Sequence, residues 1–209
     1  AGVYGEGGRI VLMLSTIAVI VVIVLTLLRW IDLLARFGRV GDAIARVEAV
    51  ASSSLRALWE QPCYGARMRI GPPPRAASVI GKQIGYVQHI DLATLEHVAA
   101  ENGGEVHVEV MPGNFVDNTI PLAWLNFAPD EAALRRVRGA FDIGAARSFD
   151  QDPRFGVVVL AEIAIKALSP GINDAGTAIT TLSTLNRVLA ILAEPREQDS
   201  EIDYPHVFV

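Results

Sequence analysis

Residues 10–28 read IVLMLSTIAVIVVIVLTLL, nineteen positions with no charge, no glycine and no proline, and with Ser15, Thr16 and Thr26 as the only polar side chains. At 1.5 Å per residue a helix of this stretch is about 28 Å long, against roughly 30 Å of bilayer hydrocarbon. Helices buried in soluble cores are seldom uncharged for so long, so the stretch is expected to cross a membrane. Arg29 and Trp30 follow at once, a cation and an interfacial aromatic where the headgroups begin. Arg9 is the cation ahead of the span, whereas Arg29, Arg36, Arg39 and Arg46 follow it. The positive-inside bias then places the C-terminal side in the cytoplasm. No charged n-region with a small-residue cleavage site precedes the apolar run, so a secretory signal is not expected.

No proline occurs between Ile10 and Gln61, so the helix is expected to run on past Trp30 as a juxtamembrane rod. Leu33, Phe37, Val40, Ile44, Val47, Ala51, Ser54 and Leu58 recur at spacings of three and four, a heptad-like stripe interrupted by Gly38 and Gly41. Such a stripe packs either on a sister helix in a homo-oligomer or on the chain's own domain. Gly71-Pro-Pro-Pro-Arg75 ends helical structure and reads as a short stiff linker.

Beyond the linker the period changes. Val79, Ile84, Tyr86, Val87 and Ile90 suggest strand, and Asp91 is placed to cap a short helix carrying Leu92, Leu95 and Val98. Val106, Val108 and Val110 alternate with Glu105, His107 and Glu109, the pattern of a strand with one face in water. After the Pro112-Gly113-Asn114 turn, Phe115-Val116 and Pro121 to Leu125 read as a strand pair. Pro129-Asp130 opens a further helix, Gly139 to Gly144 reads as a strand, and Asp152-Pro153 as the cap and first residue of an apolar helix to Leu168. Arg154, Val158, Glu162 and Lys166 share one row of that helix. Ser169-Pro-Gly-Ile-Asn-Asp174 breaks it, and Asn173 or Asp174 caps a last helix reaching about Ala193.

The expected architecture is an α+β membrane protein: a transmembrane and juxtamembrane helix over residues 1–60, a linker over 61–77, a small β-rich module over 78–128, and a C-terminal strand and helical hairpin over 129–209. The net charge of −5 argues against nucleic-acid partners, which call for a basic patch. Cys63 is the single cysteine, so an intrachain disulfide is excluded and a reducing compartment is the simplest setting. His89, His97 and His107 are spaced eight and ten apart, unlike metal ligands, and no metal or cofactor is expected. Asp150, Asp152, Arg154, Ser169, Asn173 and Asp174 are the candidate binding residues, with helix capping as the competing role for the acids. The two acidic clusters bracket one helix about 24 Å long, which counts against a shared catalytic dyad.

The run Met111 to Ala123 resembles the half-repeat of lipoyl- and biotinyl-type barrel-sandwich modules. The nearest lysine, Lys82, precedes a strand instead of sitting at a hairpin tip, so that resemblance implies a fold and no carrier role. Gly85 to Asp91, Pro112 to Val116, Asp150-Gln-Asp152 and Ala167 to Asp174 together resemble the bacterial membrane proteins of domain-of-unknown-function family twenty-two fifty-four, over essentially the whole chain. In that family a proline commonly follows the Asn-Asp pair, where this chain has Ala175. The resemblance implies a bacterial inner-membrane location, further spans upstream, and no known activity. Three function classes follow: a non-enzymatic oligomeric channel- or transporter-like protein with a cytoplasmic sensing or gating domain, a membrane-tethered module binding a small ligand, ion or protein, and an enzyme using the Asp and Asn clusters. No nucleophile with a base, phosphate loop or dinucleotide fingerprint favours the third.

Overall fold

The computed structural model describes residues 6–37, 40–73, 77–195 and 202–209. The chain divides between Ala43 and Ile44 into two compact units. The first holds helix α1, Glu6–Phe37, within which Ile10–Ile31 is long and apolar enough to cross a membrane and is exposed along its whole length. Its hydroxyls are satisfied internally: Ser15 and Thr16 donate to the Leu12 carbonyl and Thr26 to that of Val22. A helix facing lipid has to satisfy its polar groups this way.

Helix α2 spans Val40–Glu60; the junction at Gly38-Arg39, on which the expected continuous rod turns, lies outside the described residues. The heptad stripe divides accordingly. The side chains of Leu33 and Phe37 lie outside the described residues, whereas Ile44, Val47 and Ala51 of the stripe, joined by Leu55 from beside it, pack on Leu160, Val188 and Ile191 of the chain's own helical layer. That layer consists of α5, Pro153–Ala167, and α6, Ala175–Ala190, which pack along each other. Gly156 of α5 meets Ala51 of α2 so closely that a Cβ there would collide with the alanine methyl. Paired ions, Arg56 with Glu194 and Arg187 with Glu48, close the outer rim.

The remaining elements are β1 (Ala66–Arg67), β2 (Ala77–Ile80), β3 (Gly85–Ile90), α3 (Leu92–Glu101), β4 (Val106–Val108), β5 (Phe115–Val116), β6 (Pro121–Leu125), α4 (Glu131–Gly139), β7 (Phe141–Gly144) and β8 (Tyr204–Phe208). They form a five-stranded sheet ordered β1-β8-β4-β6-β2 and a three-stranded sheet ordered β5-β3-β7. Val79, Val87, Leu95, Val98, Val106, Leu122, Leu125 and Val137 fill the core they share. Asp91 and Asp130 cap α3 and α4 by accepting from Thr94 N and Ala133 N, as their sequence positions predict.

Several expectations are corrected. The region from Val79 to Ile90 is two strands in different sheets, and Phe115-Val116 and Pro121–Leu125 do not pair: β5 joins β3, while β6 lies between β2 and β4. The span expected as linker contains a 3-10 turn, Pro62–Gly65, and β1; its Pro74–Ala76 portion lies outside the described residues. β7 pairs with β3, and β8 lies parallel to β1 and β4, so the sheets draw on residues from both sides of the boundary expected at 128. His107, expected to face water, is buried and stacked on Phe208 because β8 covers that face.

Candidate functional site

The loop Phe149–Asp152, leading into α5, is bonded to α2, to the Pro62–Gly65 turn and to β3. Ser54 of α2 donates to the Phe149 carbonyl, and the Tyr64 hydroxyl donates to the Gln151 carbonyl at 2.6 Å. The Gln151 amide occupies a strand-like position beside β3, accepting from Ile90 N at 2.8 Å and donating to Ile90 O at 3.3 Å. Asp150, on the outer side, meets His89 Nδ1 at 2.7 Å, and both side chains remain about half exposed.

Asp152 begins α5 but does not cap it with its side chain, contrary to the sequence expectation. The carboxylate is 1% exposed, and one of its oxygens, Oδ2, accepts from Arg147 Nε and Nη2 at 2.8 and 2.5 Å. Oδ1 is buried with no hydrogen-bond partner among the described residues. Arg147 is held in turn by the Phe155 ring, 4.9 Å away, and Phe155 packs on Phe149. Proline at the first helical position has no N–H to cap, and the two bonds from Arg147 to Oδ2 draw the carboxylate away from the other free donors.

Tyr64 sits in the left-handed region at φ 55°, following Cys63 at φ 54°. Burial, reinforced by the Asp152 charge, pushes its hydroxyl up to about 12, so it stays protonated and serves as a donor. Gly113, at φ 89°, approaches Asp152 so nearly that a Cβ would strike Oδ2. The turn carrying it is bonded to β3 through Gly113 N to Val87 O and Val87 N to Asn114 O, and Asn114 Oδ1 accepts from Met111 N. Three of the four sequence runs singled out above therefore meet at one place, and the exposed Arg154 stands near enough to act on the Tyr64 hydroxyl.

Ser169, Asn173 and Asp174 lie at the other end of α5, a 15-residue helix, about 22 Å away along its axis. Asp174 caps α6, accepting from Thr177 N and from the Thr177 hydroxyl; these bonds, the hydroxyl's foremost, hold its carboxyl below the usual range. Asn173 adopts φ 47° and bonds back to Ser169 O, while Asp174 N bonds to Ala167 O. Asn173 and Asp174 are exposed and Ser169 is half-buried, and together they make a local turn. Tyr64, His89, Gly113 and Arg147 are site residues that the sequence reading left out. Arg147 lies five positions before Asp152, and Tyr64 reaches the loop from the region read as linker, so no spacing connects them.

Chemically, the cluster offers a buried ion pair, a locked tyrosine donor and a half-exposed imidazole oriented by a carboxylate. Among the described residues no group of three His, Cys, Asp or Glu side chains is placed to hold a metal ion.

A family model of predicted membrane proteins, DUF2254, matches residues 2–207. Uncharacterised proteins of Mycobacterium tuberculosis (strain H37Rv) and Mycobacterium bovis are each 30% identical over 128 residues, covering 58% of this chain and 25% of the relative. The match thus spans about a quarter of the length of these curated relatives. No solved structure matches the chain. The runs that meet at the Phe149–Asp152 loop lie inside the stretch matched by the family model, and the chain belongs to the DUF2254 family of predicted membrane proteins.

Proposed function

We propose that this chain is part of a non-enzymatic, oligomeric channel- or transporter-like protein of the bacterial inner membrane, with its folded unit in the cytoplasm acting as a sensing or gating domain. The arginine asymmetry around the α1 span supports the orientation. The observation that carries the reading is the Phe149–Asp152 loop. It ties α2, the helix that follows the span in sequence, to Tyr64, β3 and α5 through directed hydrogen bonds. A rearrangement at the sheets or at α5 reaches α2 through this loop, as a sensing domain joined to a span requires.

The test is solute flux in liposomes carrying the full chain, using a panel of monovalent and divalent ions. Wild type is expected to pass at least one of them. Tyr64→Phe, which removes the bond to Gln151, is expected to change that flux several-fold in a protein that remains folded by circular dichroism. A wild type that passes none, in liposomes into which protease protection shows it inserted, would sink the channel reading.

A second reading, a membrane-tethered ligand-binding module, has one specific observation in its favour. A groove of about 430 Å³ lies between the end of β2 and β7, floored by Leu122, Phe141 and Ile143 and rimmed by Lys82 and Arg138. Its volume falls within the range of small-molecule sites. Saturable citrate binding that Lys82→Ala and Arg138→Ala abolish would favour this reading.

A further inference from the structure

We propose that the groove between the end of β2 and β7 binds a small monocarboxylate with an apolar body, the carboxylate on Arg138 and Lys82 and the body on Leu122, Phe141 and Ile143. The inference rests on the ligand-binding reading above and names the ligand class.

The fold fixes each part of this groove. Leu122 and Phe141 belong to the core shared by the two sheets, and Ile143 packs half-buried against it, so the floor is firm. The turn after β2 runs close over that floor: a Cβ at Gly81 would stand 3.3 Å from Leu122 Cδ1. Arg138 lies in the last turn of α4, and its Nε donates at 3.2 Å to the Ile80 carbonyl of β2, the edge strand of the larger sheet. That bond holds the guanidinium at the rim, while its two terminal nitrogens meet no hydrogen-bond or ion-pair partner among the described residues. Arg136, two positions earlier, instead places both terminal nitrogens on Glu101. Lys82, exposed in the turn between β2 and β3, is likewise without a bonded partner among the described residues. A planar guanidinium open at its terminal nitrogens matches the two oxygens of a carboxylate, and a lysine beside it adds a point charge.

Asp142, exposed on β7, also lines the groove and limits the charge of the ligand. Two cations against one carboxylate leave a single positive charge in excess, which a monoanion balances and a more highly charged anion does not. The floor is apolar, and about 430 Å³ is more than a bare oxyanion fills, so the rest of the ligand is hydrocarbon.

The test is isothermal titration calorimetry of the full chain in lipid nanodiscs with phenylacetate, acetate and citrate, empty discs giving the blank. Phenylacetate is expected to bind saturably and about tenfold tighter than either of the others, a factor that burial of two methylene-sized groups supplies. Arg138→Ala and Lys82→Ala are each expected to weaken it about tenfold, as loss of a charge-assisted bond does, and Arg136→Ala to leave it unchanged. The Lys82 ammonium bonds to nothing among the described residues, so Lys82→Ala tests the site even where Arg138→Ala loses stability through Ile80. Asp142→Asn is expected to narrow the preference for phenylacetate over citrate several-fold. Acetate or citrate binding as tightly as phenylacetate, and lost in the same two variants, would overturn the monocarboxylate and leave the groove as an anion site. Phenylacetate binding that survives both Lys82→Ala and Arg138→Ala would overturn its placement in this groove, and no saturable binding of any of the three would overturn the ligand-binding reading as well.

Discussion

The two ends of α5 carry similar sequence, Asp150 and Asp152 before Pro153 at one and Asn173-Asp174 after Pro170 at the other, and the fold uses them in opposite ways. At the N-terminal end Asp152 is buried, denied its cap and bound to Arg147, with Gly113 pressed against it and Tyr64 beside it. At the C-terminal end Asp174 is exposed and caps α6 with bonds to Thr177, three residues away. The difference lies in what surrounds each pair. The first is enclosed by α2, the Pro62–Gly65 turn and β3, so its charge needs a fixed partner. The second faces water, where local bonds are enough.

This contrast breaks most visibly at Arg147. Replacing it by methionine leaves the Asp152 carboxylate buried without compensation, and loss of one partner of such a pair costs about 3–5 kcal/mol. Asp152→Asn is expected to cost less, about 1–2 kcal/mol, because the amide still accepts a bond and the arginine, 21% exposed, can turn to water. Urea midpoints of the two variants measure the difference. Equal losses would mean that the buried charge is not the source of the asymmetry.

Gly113 sharpens the same comparison. A methyl there both collides with Asp152 and holds an L side chain at φ 89°, so Gly113→Ala is expected to cost about 2 kcal/mol. Gly171, in the turn at the opposite end, has open space where a methyl would stand, and Gly171→Ala should leave the urea midpoint where it was.

What is legible in the sequence divides along the same line. The apolar span, the caps at Asp91, Asp130 and Asp174, and the limits of α5 and α6 are all set by residues within a few positions of each other, and each is readable from spacing. The contacts that are missing from that reading are long-range. Tyr64 reaches Gln151 across 87 positions, His89 reaches Asp150 across 61, and β8 enters the large sheet from the far end of the chain to bury His107. The heptad stripe on α2 is visible, but periodicity records only that a face is apolar. Burial of Ile44, Val47 and Ala51 against α5 and α6 decides the choice for that part of the stripe.

The smallest expected loss is at Asp174. Its carboxyl, ordinarily near 3.8, lies lower in the folded chain because the Thr177 hydroxyl and then the Thr177 N–H bond to the charged form. A depressed carboxylate stabilises the fold fully above its unfolded value and loses that contribution as pH falls through its folded value. Asp174→Asn keeps an acceptor for Thr177 N but has no charge to lose, so at neutral pH it should melt slightly below wild type. Asp174→Ala should melt about 2–4 °C below, the usual effect of losing one cap in a domain of this size. On acidification below pH 4 the gap between wild type and Asp174→Asn should close. Melting curves of the three proteins from pH 7 to pH 2.5 read this directly. A gap that stays constant would mean that Asp174 is not titrating as a cap. Loss of liposome flux in Asp174→Asn at unchanged stability would show instead that the charge at this exposed turn has a ligand or partner of its own.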